Sequence, residues 1–159
     1  TDQVNNDYQI LWLDNIFDIQ KGVILEGTIK AQTFTSEHKD HNAGLVLDEG
    51  NSKSMAIQLG IGIPEQRETH IGRLNIKPDG KFEFVSEDVT GNNCATGRGI
   101  DEGEEHTFRL LARLGGFELY IDDLLMQTYV YKPVEGKIGL LARNTKVVFN
   151  DIKAWNMSL

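Results

Sequence analysis

Apolar and polar side chains alternate with a period of two through most of this chain, and that period leaves few folds open. Val23, Leu25, Gly27, Ile29 and Ala31 share one parity, with Glu26, Thr28 and Lys30 on the other. Met55, Ile57 and Leu59 alternate with Ser54, Ala56 and Gln58, and Phe82 and Phe84 with Lys81 and Glu83. Phe108, Leu110 and Ala112 alternate with Thr107, Arg109 and Arg113, and Phe117, Leu119 and Ile121 with Glu118, Tyr120 and Asp122. Ile138, Leu140 and Ala142 repeat the pattern against Lys137 and Arg143. Successive side chains of a strand point to opposite faces, so each run predicts a strand with one face in a core and one in water.

Turn chemistry falls between the runs. In Lys77-Pro78-Asp79-Gly80 the proline presets φ and the glycine supplies a positive one. Gly115-Gly116 and Asp122-Asp123 read as hairpin turns. Many short strands at close spacing predict an all-β sandwich or barrel. No helix is predicted beyond a short turn near residues 65–69. The 159 residues suit one domain, read as spanning 1–159. Two polar stretches, 34–42 and 86–105, read as long loops, where a rigid sheet scaffold commonly carries function.

Charge and composition exclude several partners. The formal net charge is −8 and no basic run exists, which argues against a nucleic-acid backbone as partner. No apolar run approaches the ~20 residues of a membrane span. Asp2, Asn5, Asn6 and Asp7 do not read as a signal peptide, and a leader removed earlier would leave the same sequence. The lone Cys94 permits no internal disulfide, and no activating base is indicated for it.

The last third carries a family resemblance. The run from Glu105 to Asp123, EHTFRLLARLGGFELYIDD, resembles a hairpin of the concanavalin-A-like jelly rolls. Gly136-Lys137-Ile138-Gly139-Leu140 and Val147-Val148-Phe149-Asn150-Asp151-Ile152-Lys153-Ala154 resemble the closing strands of that superfamily, and Asn42-Ala43-Gly44-Leu45-Val46-Leu47-Asp48 fits an early one. Within it the chain looks most like the C-terminal sandwich of family 32 glycoside hydrolases and the related fructan-binding modules, over roughly residues 20–159. Laminin-G-like domains and 3-keto-disaccharide hydrolases share the closing pattern. The resemblance implies a two-sheet antiparallel sandwich of jelly-roll type, serving as a non-catalytic, carbohydrate-binding or supporting domain of a secreted, periplasmic or cell-surface enzyme, with a poly- or oligosaccharide and a catalytic domain of the same parent chain as partners. It transfers no site residue, because one fold hosts many activities. A sugar hydrolase on the same fold and a laminin-G-like protein-recognition module remain the alternatives.

The residues themselves offer three chemistries. No carboxylate pair sits in a glycosidase motif, and Asp101, Glu102, Glu104 and Glu105 read as a solvated loop. No catalytic residue is assigned. For metals, His38, Asp40 and His41 share one polar loop, and Asp14, Asp18 and Asp151 could supply oxygens to a structural calcium. No other cofactor is implied. A sugar-binding face is the third: aromatic rings stack on sugars while Arg, Glu and Gln bond their hydroxyls. Strand parity predicts that Arg109, Arg113, Glu118, Tyr120, Gln127 and Tyr129 share the outward face of the 107–131 meander, with Arg143 outward on its own strand. The alternative is an ordinary wet sheet surface with cross-strand ion pairs. Trp12 and Trp155 are expected near each other, with the two termini paired in one sheet, and to serve core or domain-interface packing rather than as a binding platform.

Overall fold

A computed structural model describes residues 8–19, 21–33, 41–50, 53–61, 69–86, 99–130 and 136–157. Among the described residues eleven strands run in chain order: β1 (Tyr8–Phe17), β2 (Val23–Thr33), β3 (Asn42–Gly50), β4 (Lys53–Gly60), β5 (Thr69–Ile76), β6 (Phe82–Ser86), β7 (Glu105–Arg113), β8 (Gly116–Ile121), β9 (Leu124–Val130), β10 (Gly136–Arg143) and β11 (Thr145–Asn156). They form two antiparallel sheets, one in the order β1-β10-β3-β4-β5-β6 and the other β11-β2-β7-β8-β9. The all-β sandwich expected from the alternation is what forms. Cys94, His38, Asp40 and most of the residues expected to turn near 65–69 lie outside the described residues.

The core lies between the sheets and takes the apolar parity of each run. Val23, Leu25, Ile29, Phe108, Leu110, Phe117 and Leu119 come from one sheet, and Leu45, Leu47, Met55, Ile57, Ile71, Ile138 and Leu140 from the other. The turns obey their chemistry. Gly80 has φ +79° and its amide donates to the Lys77 carbonyl at 2.9 Å. Asp122 and Asp123 both have positive φ between paired Ile121 and Leu124, the two-residue hairpin expected there. The other hairpin differs by one residue: Gly116 pairs with Arg113, so Leu114-Gly115 make the turn.

Two expectations of layout are corrected. The termini do not share a sheet, because β1 edges the six-stranded sheet and β11 the five-stranded one. Trp12 and Trp155 therefore sit on different sheets. The six-stranded sheet is also not wet on its outer face, the face turned from the core. Tyr8, Val46, Ala56, Leu74 and Leu141 are buried there, with Ile10, Trp12, Phe82 and Phe84 packed over them. Glycines make the room: a Cβ on Gly139 would lie 2.7 Å from Ile10 Cγ2 and 3.0 Å from Trp12 Cε3, and one on Gly72 would lie 2.9 Å from Phe84 Cζ.

Candidate functional site

The outer face of the five-stranded sheet is built by register. Trp155 of β11 neighbours Ile24 of β2, which neighbours Leu111 of β7 and then Glu118 of β8. One step along, Lys153, Glu26, Arg109 and Tyr120 form the adjoining row. Trp155 and Lys153 reach this face through a bulge in β11 between Asn150 and Lys153, where Asp151 takes φ +52°. A bulge adds a residue to one strand and re-aims the side chains after it.

Beside the tryptophan lies a shallow groove of about 290 Å3, lined in part by Glu26, Thr28, Arg109, Tyr120, Asp123 and Lys153. The Arg109 guanidinium sits 5.1 Å from the centre of the Tyr120 ring, and its Nη2 donates to Asp123 Oδ1 at 3.3 Å. The Tyr120 hydroxyl donates to Glu118 Oε2 at 2.7 Å. That bond, made by the protonated phenol to a carboxylate, raises the Tyr120 pKa above the usual phenol range. The groove thus offers donors of both Arg and Lys type, carboxylate acceptors and the Tyr120 ring, with the Trp155 indole in the row beside it. Trp155 is 46% exposed.

The seven residues assigned from parity fall in three places. Arg109, Arg113, Glu118 and Tyr120 share this outer face, as expected. Gln127 and Tyr129 point into the sandwich instead, at 0% and 5% exposure. The reason is a bulge in β9: Leu119 pairs with Gln127 but Tyr120 pairs with Leu125, so Met126 is the extra residue. One inserted residue inverts parity for the rest of the strand. Tyr129 then faces Phe117, with ring centres 6.1 Å apart. Arg143 lies on the other sheet, 5.0 Å above the Tyr8 ring. Alternation missed Trp155, Lys153 and Glu26 as one group. The signal was Asn150-Asp151, residue types that tolerate the left-handed conformation a bulge needs.

The metal readings resolve differently. His41 Nδ1 bonds the Asn144 carbonyl at 2.7 Å, a backbone tie. Asp14, Asp18 and Asp151 do not come together, and Asp18 pairs with Lys21 at 3.1 Å. Among the described residues, Asp101, Glu104 and His106 gather ligand atoms within 4.8 Å of one another. Both nitrogens of His106 are already engaged, however. Nδ1 donates to Asp122 Oδ2 at 2.6 Å, and Nε2 accepts the Asp101 amide at 3.1 Å. A cation would have to displace that amide from the one lone pair the ring can offer. The cluster acts as a strap from the 101–104 segment to the 122–123 turn.

No family model matches the chain, and no curated protein matches it. Solved structures do. The carbohydrate-binding module CBM66 from Bacillus subtilis aligns with TM-score 0.63 at 12% identity, covering 94% of this chain and 83% of that one. The Emp46p carbohydrate recognition domain, in its metal-free form, aligns with TM-score 0.64 at 16% identity, covering 96% and 79%. Galectin-Ib of Xenopus laevis aligns with TM-score 0.54 at 10% identity, covering 93% and 99%. Likeness at such identity speaks for the fold alone, and the fold it shows is the two-sheet β-sandwich these domains share.

Proposed function

We propose that the chain is a carbohydrate-binding domain whose ligand lies across the outer face of the five-stranded sheet, from Trp155 to Tyr120. The observation that carries this reading is the half-exposed Trp155 beside a groove lined by Glu26, Lys153, Arg109 and Tyr120. An indole on a flat sheet face presents an apolar platform to a sugar ring, while the charged row beside it bonds hydroxyls. Arg113 and Glu118 extend the polar rim. That solved structures of this fold are a carbohydrate-binding module and a carbohydrate recognition domain supports the same reading.

The role is binding rather than cleavage. Of the carboxylates that line the groove, Asp123 is held by Arg109, and Glu26 stands between Lys153 and Arg109 in its row. The parent is a secreted or cell-surface carbohydrate-active enzyme, most simply a glycoside hydrolase, whose catalytic unit this domain brings to its polymer.

Affinity electrophoresis through gels containing fructans, plant and bacterial polysaccharides, or host glycans tests this. At least one polymer should retard the chain, and Trp155→Ala or Tyr120→Ala should remove the retardation. Equal retardation of the wild type and both variants would move the site elsewhere. Free migration in every gel would reject the binding role.

A further inference from the structure

A second depression opens on the outer face of the five-stranded sheet, across the Trp155 row from the charged groove. Register sets Gly116 of β8 between Arg113 of β7 and Val130 of β9. The adjoining row holds Leu111, Glu118 and Thr128 and continues that of Trp155 and Ile24. Met157 follows Trp155, and its amide donates to the Gly22 carbonyl at 2.8 Å. Together these side chains line an open depression of about 410 Å3. Val130 is 69% exposed, and Arg113 and Glu118 are exposed beside it, so the depression meets solvent directly. Gly116 leaves the room. A Cβ there would come no closer than 3.4 Å to any residue but its chain neighbours, and its φ is not positive. Neither packing nor backbone conformation therefore requires a glycine at this position.

Glycine inside a strand weakens it, and one often marks a place where a ligand approaches the backbone closely. We propose that this depression is a subsite for an acetamido sugar, an N-acetylated residue of the polymer that lies on Trp155; this rests on the reading of that face as a saccharide site. The lining selects the group. An acetamido substituent carries an N–H donor, a carbonyl acceptor and a methyl. Arg113 only donates and takes the carbonyl, while Glu118 only accepts and takes the N–H. One Glu118 oxygen already holds the Tyr120 hydroxyl, but a carboxylate accepts at both. The methyl lies over Gly116, against Leu111, Val130 and Met157. A hydroxyl in its place would waste that apolar wall. A uronic acid would meet Arg113 but be repelled by Glu118, and an unacetylated amine would meet Glu118 but be repelled by Arg113.

The test follows the Val130 and Met157 methyl signals by NMR as free sugars are added. The probes are N-acetylglucosamine, N-acetylgalactosamine and N-acetylmannosamine, each beside its parent hexose, which has a hydroxyl in place of the acetamido group. At least one acetamido sugar should shift both signals and bind roughly tenfold more tightly than its parent, about the worth of a hydrogen bond and a buried methyl together. Gly116→Val fills the depression with a strand-favouring side chain, so it should keep the melting temperature and lose the Met157 response. Arg113→Ala, at an exposed position, should cost the acetamido sugar roughly tenfold and its parent nothing. Signals unmoved by all three acetamido sugars overturn the proposal, as do parent hexoses that bind equally well. So does an Arg113→Ala variant that binds the acetamido sugar as the wild type does. The Trp155 face is read separately, from polymer retardation and its loss in Trp155→Ala. Retardation that Trp155→Ala removes, with both methyl signals unmoved, would reject the subsite and leave the face standing.

Discussion

The outer faces of the two sheets use the same strand geometry to opposite ends. On the six-stranded sheet, aromatic side chains lie over glycines and seal Val46, Ala56, Leu74 and Leu141 from water. On the five-stranded sheet, Arg109 bonds Asp123 and Tyr120 bonds Glu118 at the surface, and Trp155 stays half exposed. One sheet is largely buried on both faces. The other keeps a wet, charged face with an aromatic in it. A sandwich needs only its inner faces to fold, so the use made of the outer faces separates stability from recognition. Substitutions on the first face should cost stability, and those on the second should cost binding.

The largest effect should come from Gly44→Ala. A Cβ there would drive into the Ile57 carbonyl oxygen of the neighbouring strand. Backbone cannot yield in a central strand as a flexible side chain can, so chemical denaturation should show a loss of about 3 kcal/mol, the upper end of ordinary overpacking costs. A variant as stable as the wild type would mean that β3 and β4 are not so closely apposed.

Leu74→Ala and Leu111→Ala probe the contrast directly. Leu74 is fully buried on the outer face of its sheet, whereas Leu111 is half-buried on the outer face of the other. The first should lose about 2–3 kcal/mol, as buried leucine truncations do. The second should lose about 1 kcal/mol, in proportion to the area it hides. Equal losses in urea unfolding would erase the distinction between the faces.

A smaller effect separates charge from packing at the strap. Burial pushes the Asp122 carboxyl up, but the hydrogen bonds from His106 and Thr107 outweigh it and hold its pKa below the usual aspartate value. A carboxyl whose folded pKa is lowered contributes stability above its unfolded pKa, and that contribution is lost as pH falls through the folded value. Asp122 is about half exposed, so the effect should be a fraction of a kcal/mol. Asp122→Asn should flatten the acid limb of a stability-against-pH curve. An unchanged limb would show that the strap carries no linkage.

Much of this was legible in the sequence, and the reasons for the rest are physical. Period-two runs such as Phe108-Leu110-Ala112 identify a strand and its inner face, because alternation reports directly on which side is dry. The unbroken apolar run Ala43-Gly44-Leu45-Val46-Leu47 is the mark of a strand buried on both faces, and the second apolar cluster contains Val46. Parity fails where a residue is inserted. The β9 bulge turned Gln127 and Tyr129 inward, and the β11 bulge brought Trp155 onto the face that Tyr120 occupies. Which sheet each terminal strand joins is a long-range pairing. Local pattern could not place Trp12 and Trp155 on separate sheets, nor Arg143 beside Tyr8 and Asn42.

If the face from Trp155 to Tyr120 binds a polysaccharide and contributes little to folding, one substitution should separate the two properties. Gel retardation of Trp155→Ala beside the wild type, with thermal melts of both, measures them together. The retarding polymer should bind the variant about 30-fold more weakly, the roughly 2 kcal/mol of an anchoring aromatic, while the melting temperature barely moves. A variant retarded as strongly as the wild type, or one that melts well below it, would contradict a binding role for this face.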